Sequence, residues 1–307
     1  MTLMVALVGE QPLPNLIPVR SYNPDSVLLV YSERTKGVYE RLKAVLESKT
    51  VVYELKTDAY NIVAIIEALN AKLKTSELQS QTPEFNLTGG TKLMSLAAYQ
   101  VAQQTNATML YIESEGKRNR VYRYTWKHNQ LQPPSQTWLS DCKVSLQEFF
   151  DVQLGIGNWK EHGPAKDKKG QLSRGGFFEK ALADTLRKRG TDYEIMAGVK
   201  ALKDQIDIDI AIRYENQFGI LEAKVGDEGK TLHGIQQLST AAQRQMLGTY
   251  TKKFYAITVS PSPSQEFLRK EAHIQIIQLP GYDEQTHTLS EDDMKTFIEE
   301  IDKAFKE

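Results

Sequence analysis

Along the first 130 residues, short apolar runs alternate with stretches in which apolar side chains return every three or four positions. The runs "LMVALVG" (3–9), "SVLLVYS" (26–32), "VVYELKT" (51–57), "EFNLT" (84–88) and "TMLYIES" (108–114) predict strands. Between them, "GVYERLKAVLES" (37–48), "AYNIVAIIEALNAKL" (59–73) and "TKLMSLAAYQVAQQ" (91–104) predict helices whose apolar stripes suit packing on a sheet. Such alternation predicts a mainly parallel α/β sheet. After the polar turn "GKRNR", "RVYRYTW" (121–127) predicts a hairpin strand at its edge.

The texture then changes. "HNQLQPPSQ" (128–136) reads as a loop, "SLQEFFDVQLG" (145–155) as a short helix, and the Gly- and Lys-rich 158–176 as a flexible loop or linker. From Phe177 a second unit begins with the helix "FFEKALADTLRKR", the strands "QIDIDIAI" and "FGILEAKV", the helix "GIQQLSTAAQRQML" and the strand "KFYAITVS". The expected division is a ligand-sensing unit at 1–140, a helical or flexible linker at 141–176 and a second α/β unit with a mixed sheet at 177–307.

In "QIDIDIAI" (205–212), Ile206, Ile208, Ile210 and Ile212 take one face while Asp207 and Asp209 take the other. A turn near Glu215 folds this strand onto "FGILEAKV", where Glu222 and Lys224 share a face and Leu221, Ala223 and Val225 the opposite one. Glu222 then lies across from Asp207 or Asp209, on the side of Lys224. Acidic residues are poor strand formers, so their concentration here works against local propensity. A divalent cation with oxygen ligands, magnesium or manganese, relieves their repulsion. Lys224 beside it is placed to neutralise charge developing on a phosphate. Glu179, bordering the Phe178/Leu182/Leu186 stripe, points over the sheet toward the same place. Lys230, Arg244, Lys252 and Lys253 are candidates to line a nucleic-acid path.

Bulk properties narrow the setting without choosing a function. A net charge of −1 gives no global attraction to nucleic acid or anionic lipid, so phosphate binding must be local. The single cysteine, Cys142, excludes an intrachain disulfide and a cysteine-rich metal site. No apolar run approaches a membrane span, and the first residues lack the basic start of a signal peptide, so a cytoplasmic protein without a membrane partner is expected.

In the first half, "NLTGGTKLMS" ends a strand at Thr88, turns through Gly89 and Gly90, and enters a helix that Thr91 can cap. Free amides and the positive end of the helix dipole suit an anion there, and Lys92 adds a point charge. The loops "GEQPLPN" (9–15) and "YSERTK" (31–36) leave the same sheet edge, where open α/β sheets bind ligands. The candidate ligand residues are thus Gln11, Pro12, Asn15, Ser32, Thr35, Asn86, Thr88, Gly89, Gly90, Thr91 and Lys92.

Two resemblances follow from these motifs. The order Glu179, Asp207, Glu222-Ala223-Lys224 and then a glutamine-bearing helix resembles the PD-(D/E)XK nuclease superfamily, which has a restriction-endonuclease-like α/β fold. It implies Asp207 and Glu222 as metal ligands, Lys224 as a catalytic residue, Glu179 completing the site, and Gln236 or Gln237 as accessory. The chain departs from that pattern in lacking a proline before the aspartate, and Asp209 competes with Asp207. The loops "QPLPN", "YSERTK" and "NLTGGTKLMS" resemble the CRISPR-associated Rossmann-fold sensors, CARF domains. Together the two halves resemble the CARF nucleases of type III CRISPR ancillary defence. That likeness implies a homodimer binding a cyclic oligoadenylate, foremost cyclic tetra-adenylate, across its axis, and an allosterically activated, metal-dependent endonuclease acting on DNA, RNA or both. The competing readings are a constitutive repair or processing nuclease and a non-catalytic nucleotide-sensing regulator.

Overall fold

The computed structural model describes residues 1–113, 119–139, 143–190, 192–203, 205–243 and 246–306; Cys142 and Arg244 lie outside them. The chain divides into two compact units, 1–144 with 151–156, and 145–150 with 157–307.

The first unit opens with β1 (Thr2–Leu7), α1 (Leu13–Tyr22), β2 (Ser26–Tyr31), α2 (Lys36–Leu46), β3 (Val51–Lys56) and α3 (Ile62–Leu73). It continues with β4 (Thr82–Asn86), α4 (Lys92–Thr105), β5 (Thr108–Glu113), β6 (Arg120–Tyr124), β7 (Trp126–Lys127), β8 (Gln130–Leu131) and β9 (Ser135–Trp138). The main sheet has the order β3-β2-β1-β4-β5-β6-β9, parallel through β5 and antiparallel at β6 and β9. Strand β2 is buried along its whole length, which is why "SVLLVY" reads as an unbroken apolar run. The crossover direction reverses between β1 and β4, so the loops after these two strands flank the crevice where such sheets take ligands.

Helix α1 was not foreseen, because "QPLPNLIP" reads as a string of breakers. Pro14 sits in the first turn, where its missing N–H costs nothing. Pro18 lies inside the helix, and its missing N–H leaves the Pro14 carbonyl without its usual partner. The Asn86 amide supplies one, donating to Pro14 O at 2.8 Å. It also donates to Asn15 Oδ1 at 3.2 Å and accepts from Thr88 N at 3.1 Å and Thr88 Oγ1 at 2.7 Å. The long-range asparagine thus permits a proline-rich helix after the end of β1.

Helix α5 (Leu146–Leu154) is followed in the second unit by β10 (Trp159–Glu161), α6 (Arg174–Arg187), β11 (Tyr193–Ala201), β12 (Ile206–Tyr214) and β13 (Gln217–Lys224). Then come α7 (His233–Ala241), β14 (Lys252–Ile257), α8 (Pro263–Glu271), β15 (Ile274–Gln278) and α9 (Glu291–Lys306). The sheet runs β10-β11-β12-β13-β14-β15, antiparallel through β13 and parallel beyond it. Phe178, Leu182 and Leu186 of α6 and Phe297, Ile301 and Phe305 of α9 bury one sheet face against Ile210, Leu221, Ala223 and Phe254. Helix α7 packs over β12 and β13 on the other side. The face of Glu222 and Lys224 is therefore covered, and a solvated sheet face is excluded. Strands β11 and β15 and helices α8 and α9 carry no counterpart in the sequence reading; β11 is interrupted by Gly198 and Lys200. The polar stretch 158–176 supplies β10 and an ordered turn, with a Lys166–Leu172 bridge and Ser173 N donating to Ala165 O at 2.9 Å.

Asn86→Ala removes the partner of a buried carbonyl and of Thr88 at once. At about 1–3 kcal/mol for each orphaned group, the first unit should lose about 2–4 kcal/mol. Urea titration with hydrogen exchange at the β1 and β4 amides measures this, and an unchanged midpoint would contradict the role assigned to Asn86.

Candidate functional site

The hairpin register decides which aspartate meets Glu222. The turn falls at Glu215 and Asn216, with Glu215 at φ 53°, and the ladder runs from Tyr214 opposite Gln217 to Ile210 opposite Leu221. The next step places Asp209 across from Glu222. There a carboxylate replaces a backbone partner, as Ala223 N donates to Asp209 Oδ2 at 2.7 Å. Lys224 Nζ lies 2.5 Å from Glu222 Oε1 and 3.9 Å from Asp209 Oδ2. Glu222 is 2% exposed and Glu179 4%. Glu179 Oε2 accepts from Ala165 N at 2.8 Å while feeling the charges of Asp209 and Lys224.

Asp207 stands one step outward on the same face. Its carboxylate lies 3.5 Å from His162 Nε2 and 3.5 Å from Lys200 Nζ, and its side chain is 41% exposed. The structure thus brings together Glu179, Asp209, Glu222 and Lys224, with Asp207 flanking them rather than paired with Glu222. His162 and Lys200 were not among the sequence candidates; both come from outside the hairpin, and only the pairing of β10 and β11 reveals them. His233 begins α7, and a cleft of about 400 Å³ beside Asp207 is lined by His233, Gln236, Gln237 and Thr240. Gln237 Oε1 is buried there without a hydrogen-bond partner. Gly234 lets α7 approach, since a Cβ there would stand 2.4 Å from the Tyr255 ring and 3.1 Å from Glu222 Cγ. Lys252 pairs with Gly219 at the other end of β13 from Lys224, and Lys253 donates to the Ala272 carbonyl, so neither lines this site.

The electrostatics follow from burial. Burial and then the Asp209 charge push Glu222 up to about 8, against the pull of Lys224. Burial and Asp209 likewise push Glu179 up to about 7. Asp209 is raised by burial despite Lys224 and the Ala223 N–H. Burial disfavours the Lys224 cation, but Asp209 and Glu222 overcome this and hold its proton more firmly than usual. Three carboxylates against one ammonium leave an excess of negative charge. Among the described residues no three His, Cys, Asp or Glu side chains form a ready metal site. The donor chemistry nevertheless fits a hard divalent cation, because Asp209 and Glu222 offer carboxylate oxygens whose charge Lys224 only partly offsets.

In the first unit, Asn15 and Asn86 are fully buried, and the Asn15 amide donates to Leu7 O at 2.9 Å. Ser32 and Thr35 are buried in their own turn, where Ser32 N donates to Thr35 Oγ1 at 3.1 Å. Thr88 donates to Asn86, and its Oγ1 accepts from Ile112 N at 2.9 Å. With buried Pro12, these residues are tied to protein partners at the end of the sheet where β1 and β4 terminate. The more open groups are Gln11, Gly89, Gly90, Thr91 and Lys92, the last exposed at the start of α4. A Cβ at Gly89 would fall 2.1 Å from Leu7 O, and Gly90 has φ +73°, so the turn closes tightly over the end of β1. Thr91 caps α4, accepting from Met94 N at 3.2 Å. Arg34 and Lys36 are the exposed cations of the 31–36 loop, and Arg34 pairs with Glu10 at 2.5 Å.

Residues 3–149, nearly all of the first unit's main stretch, match the family model of the Card1 CARF domain. Over its whole length the chain has the fold of Can2 from Sulfobacillus thermosulfidooxidans, solved with cyclic tetra-adenylate, at TM-score 0.73, 16% identity and 99% coverage of each chain. Protein VC1899 from Vibrio cholerae is similar at TM-score 0.69 and 11% identity, over 99% of this chain and 98% of that one. A type III CRISPR defence DNA nuclease activated by cyclic oligoadenylate aligns at TM-score 0.61 and 14% identity, over 86% of this chain but 47% of its own. No curated protein matches the sequence. The first unit thus resembles CARF domains in sequence, and the whole chain shares its fold with Can2.

A carboxyl whose folded-state pKa exceeds its unfolded value binds its proton more tightly when folded. The contribution is present below about 4.5 and lost as pH rises to about 8 for Glu222. In EDTA, the urea midpoint of the second unit should fall across that window. Glu222→Gln should flatten the fall, and an equal fall in both proteins would place the buried proton elsewhere.

Proposed function

We propose that this protein is a cyclic-oligoadenylate-activated, metal-dependent nuclease whose first unit binds the activator and whose second hydrolyses phosphodiester bonds. The carrying observation is the set of buried Glu222 and Glu179 with part-buried Asp209 and Lys224, an arrangement costly to a fold and suited to phosphate chemistry. Asp209 and Glu222 would hold the cation, with Glu179 adjacent and Asp207 at the cleft side. Bound there, magnesium or manganese supplies positive charge against the developing charge of the phosphoryl group. Lys224, kept protonated by Asp209 and Glu222, turns an N–H toward a non-bridging phosphate oxygen. Helix α7 limits water at the Glu222 side, which strengthens each of these interactions.

Support for the activator comes from the CARF-domain match and from the Can2 fold, solved with cyclic tetra-adenylate. The ring's phosphates would lie along the Gly89–Gly90 turn, the α4 start and Lys92. A two-fold homodimer fits a ring with internal symmetry, since each copy offers the same loops. Activation requires the ring to bind the active arrangement more tightly than the resting one.

With manganese present, cyclic tetra-adenylate should switch on cleavage of a labelled DNA or RNA. Glu222→Ala and Lys224→Ala should each lower the rate by at least about a hundredfold while leaving ring binding intact. Lys92→Ala should weaken ring binding. Equal cutting with and without the ring would favour a constitutive nuclease, and ring binding with no cutting in any metal would favour a non-catalytic sensor.

A further inference from the structure

Near the end of β13 stands a cation that the nuclease motif does not contain, facing Glu284 and, more weakly, Glu228 and Asp227. Arg174 is the first residue of α6, one turn before Glu179. Its guanidinium lies against the backbone just beyond Lys224, since a Cβ on Gly226 would come within 2.7 Å of Nη2. Gly226 has φ +61°, so both its conformation and its bare α-carbon admit the guanidinium there. The catalytic strand, the Glu179 helix and this guanidinium therefore meet at one place.

The guanidinium is held by a stand-in. Arg174 Nε donates to Glu284 Oε2 at 2.5 Å and Nη2 to Glu284 Oε1 at 2.6 Å. Two parallel N–H groups on two oxygens of one anion is the geometry by which arginine also grips a phosphate. The loop carrying Glu284 is fixed by other means. Asp283 pairs with Thr288 and its carboxylate accepts from Gln285 N at 2.7 Å, while His287 stacks on Phe177 at 3.7 Å. None of these uses the Glu284 carboxylate. Both partners are open to water, at 58% and 45% exposure, so the pair is weak enough to exchange.

We propose that Arg174 is the clamp for a backbone phosphate of the nucleic-acid substrate next to the scissile one, and that Glu284 occupies this clamp until substrate displaces it. The proposal rests on the nuclease reading above and adds a substrate-binding residue and a built-in competitor to it. Arg174 grips and orients the strand, and no bond is made or broken through it.

The test is binding rather than cleavage. Fluorescein-labelled single-stranded DNA, the matching RNA and a DNA duplex are titrated with full-length protein in calcium, a hard divalent cation in place of manganese, with cyclic tetra-adenylate, and anisotropy is read at several salt concentrations. Arg174→Ala should weaken binding about tenfold and lower the salt slope by about one. Arg174→Lys, which keeps the charge and loses the fork, should fall between Arg174→Ala and wild type. Glu284→Gln should tighten binding roughly two- to fivefold. The double variant Arg174→Ala with Glu284→Gln should match Arg174→Ala. Tighter binding on one probe alone identifies the strand the clamp accepts. Wild-type binding that Arg174→Ala leaves unchanged in strength and slope overturns the clamp while sparing the nuclease reading. Failure of the wild-type protein to bind any of the three probes overturns both.

Discussion

An imbalance of buried charge organises the second unit. Asp209, Glu222 and Glu179 are drawn from two strands and a helix onto one covered patch, with Lys224 the cation between the hairpin carboxylates. Desolvating carboxylates is expensive, and folding alone gives no reason to gather them. The arrangement survives because its neighbours specify it. The Glu215 turn sets the register, Ala223 N satisfies one Asp209 oxygen, and Ala165 N satisfies one of Glu179. The raised carboxyls report the same excess in another form, for a proton is the smallest cation able to relieve it.

The first unit solves a different problem, holding polar loops rigid at the edge of a buried sheet. Its asparagines and small hydroxyl residues are spent on protein partners, leaving the Gly89–Gly90 turn and the exposed Lys92 at the edge. Three prolines in "QPLPNLIP" stiffen the segment, and Asn86 repairs the carbonyl that Pro18 leaves open. A preformed edge of this kind loses little entropy when it orders a ligand.

These two devices explain what could be read in the chain beforehand. Strand rhythm exposed the parallel sheet, because strands buried on both faces are apolar throughout. The hairpin and its acidic face were legible because alternation of period two survives in "QIDIDIAI". Helix α1 was hidden, since its proline tolerance depends on Asn86, distant in sequence. The choice between Asp207 and Asp209 was equally hidden, because a two-residue change in register exchanges them without altering either face. Polar type alone could not separate buried from exposed positions, and so Asn15, Ser32 and Thr35 stood beside Lys92 as equals although burial divides them.

The position of Lys224 ties the chemistry to the charge count. In the folded protein its ammonium lies between Glu222 and Asp209, and with all three carboxyls ionised it offsets one of three negative charges. A divalent cation on the same carboxylates would offset the other two and leave the set neutral. It would also weaken the hold of those carboxylates on the ammonium, freeing an N–H for an incoming phosphate. A monovalent ion leaves one charge uncompensated, and replacing the amine by a neutral group leaves the carboxylates with no cation of their own. With a divalent ion bound, the same four residues would meet an incoming phosphate without uncompensated negative charge, so the cation would have to precede the phosphate.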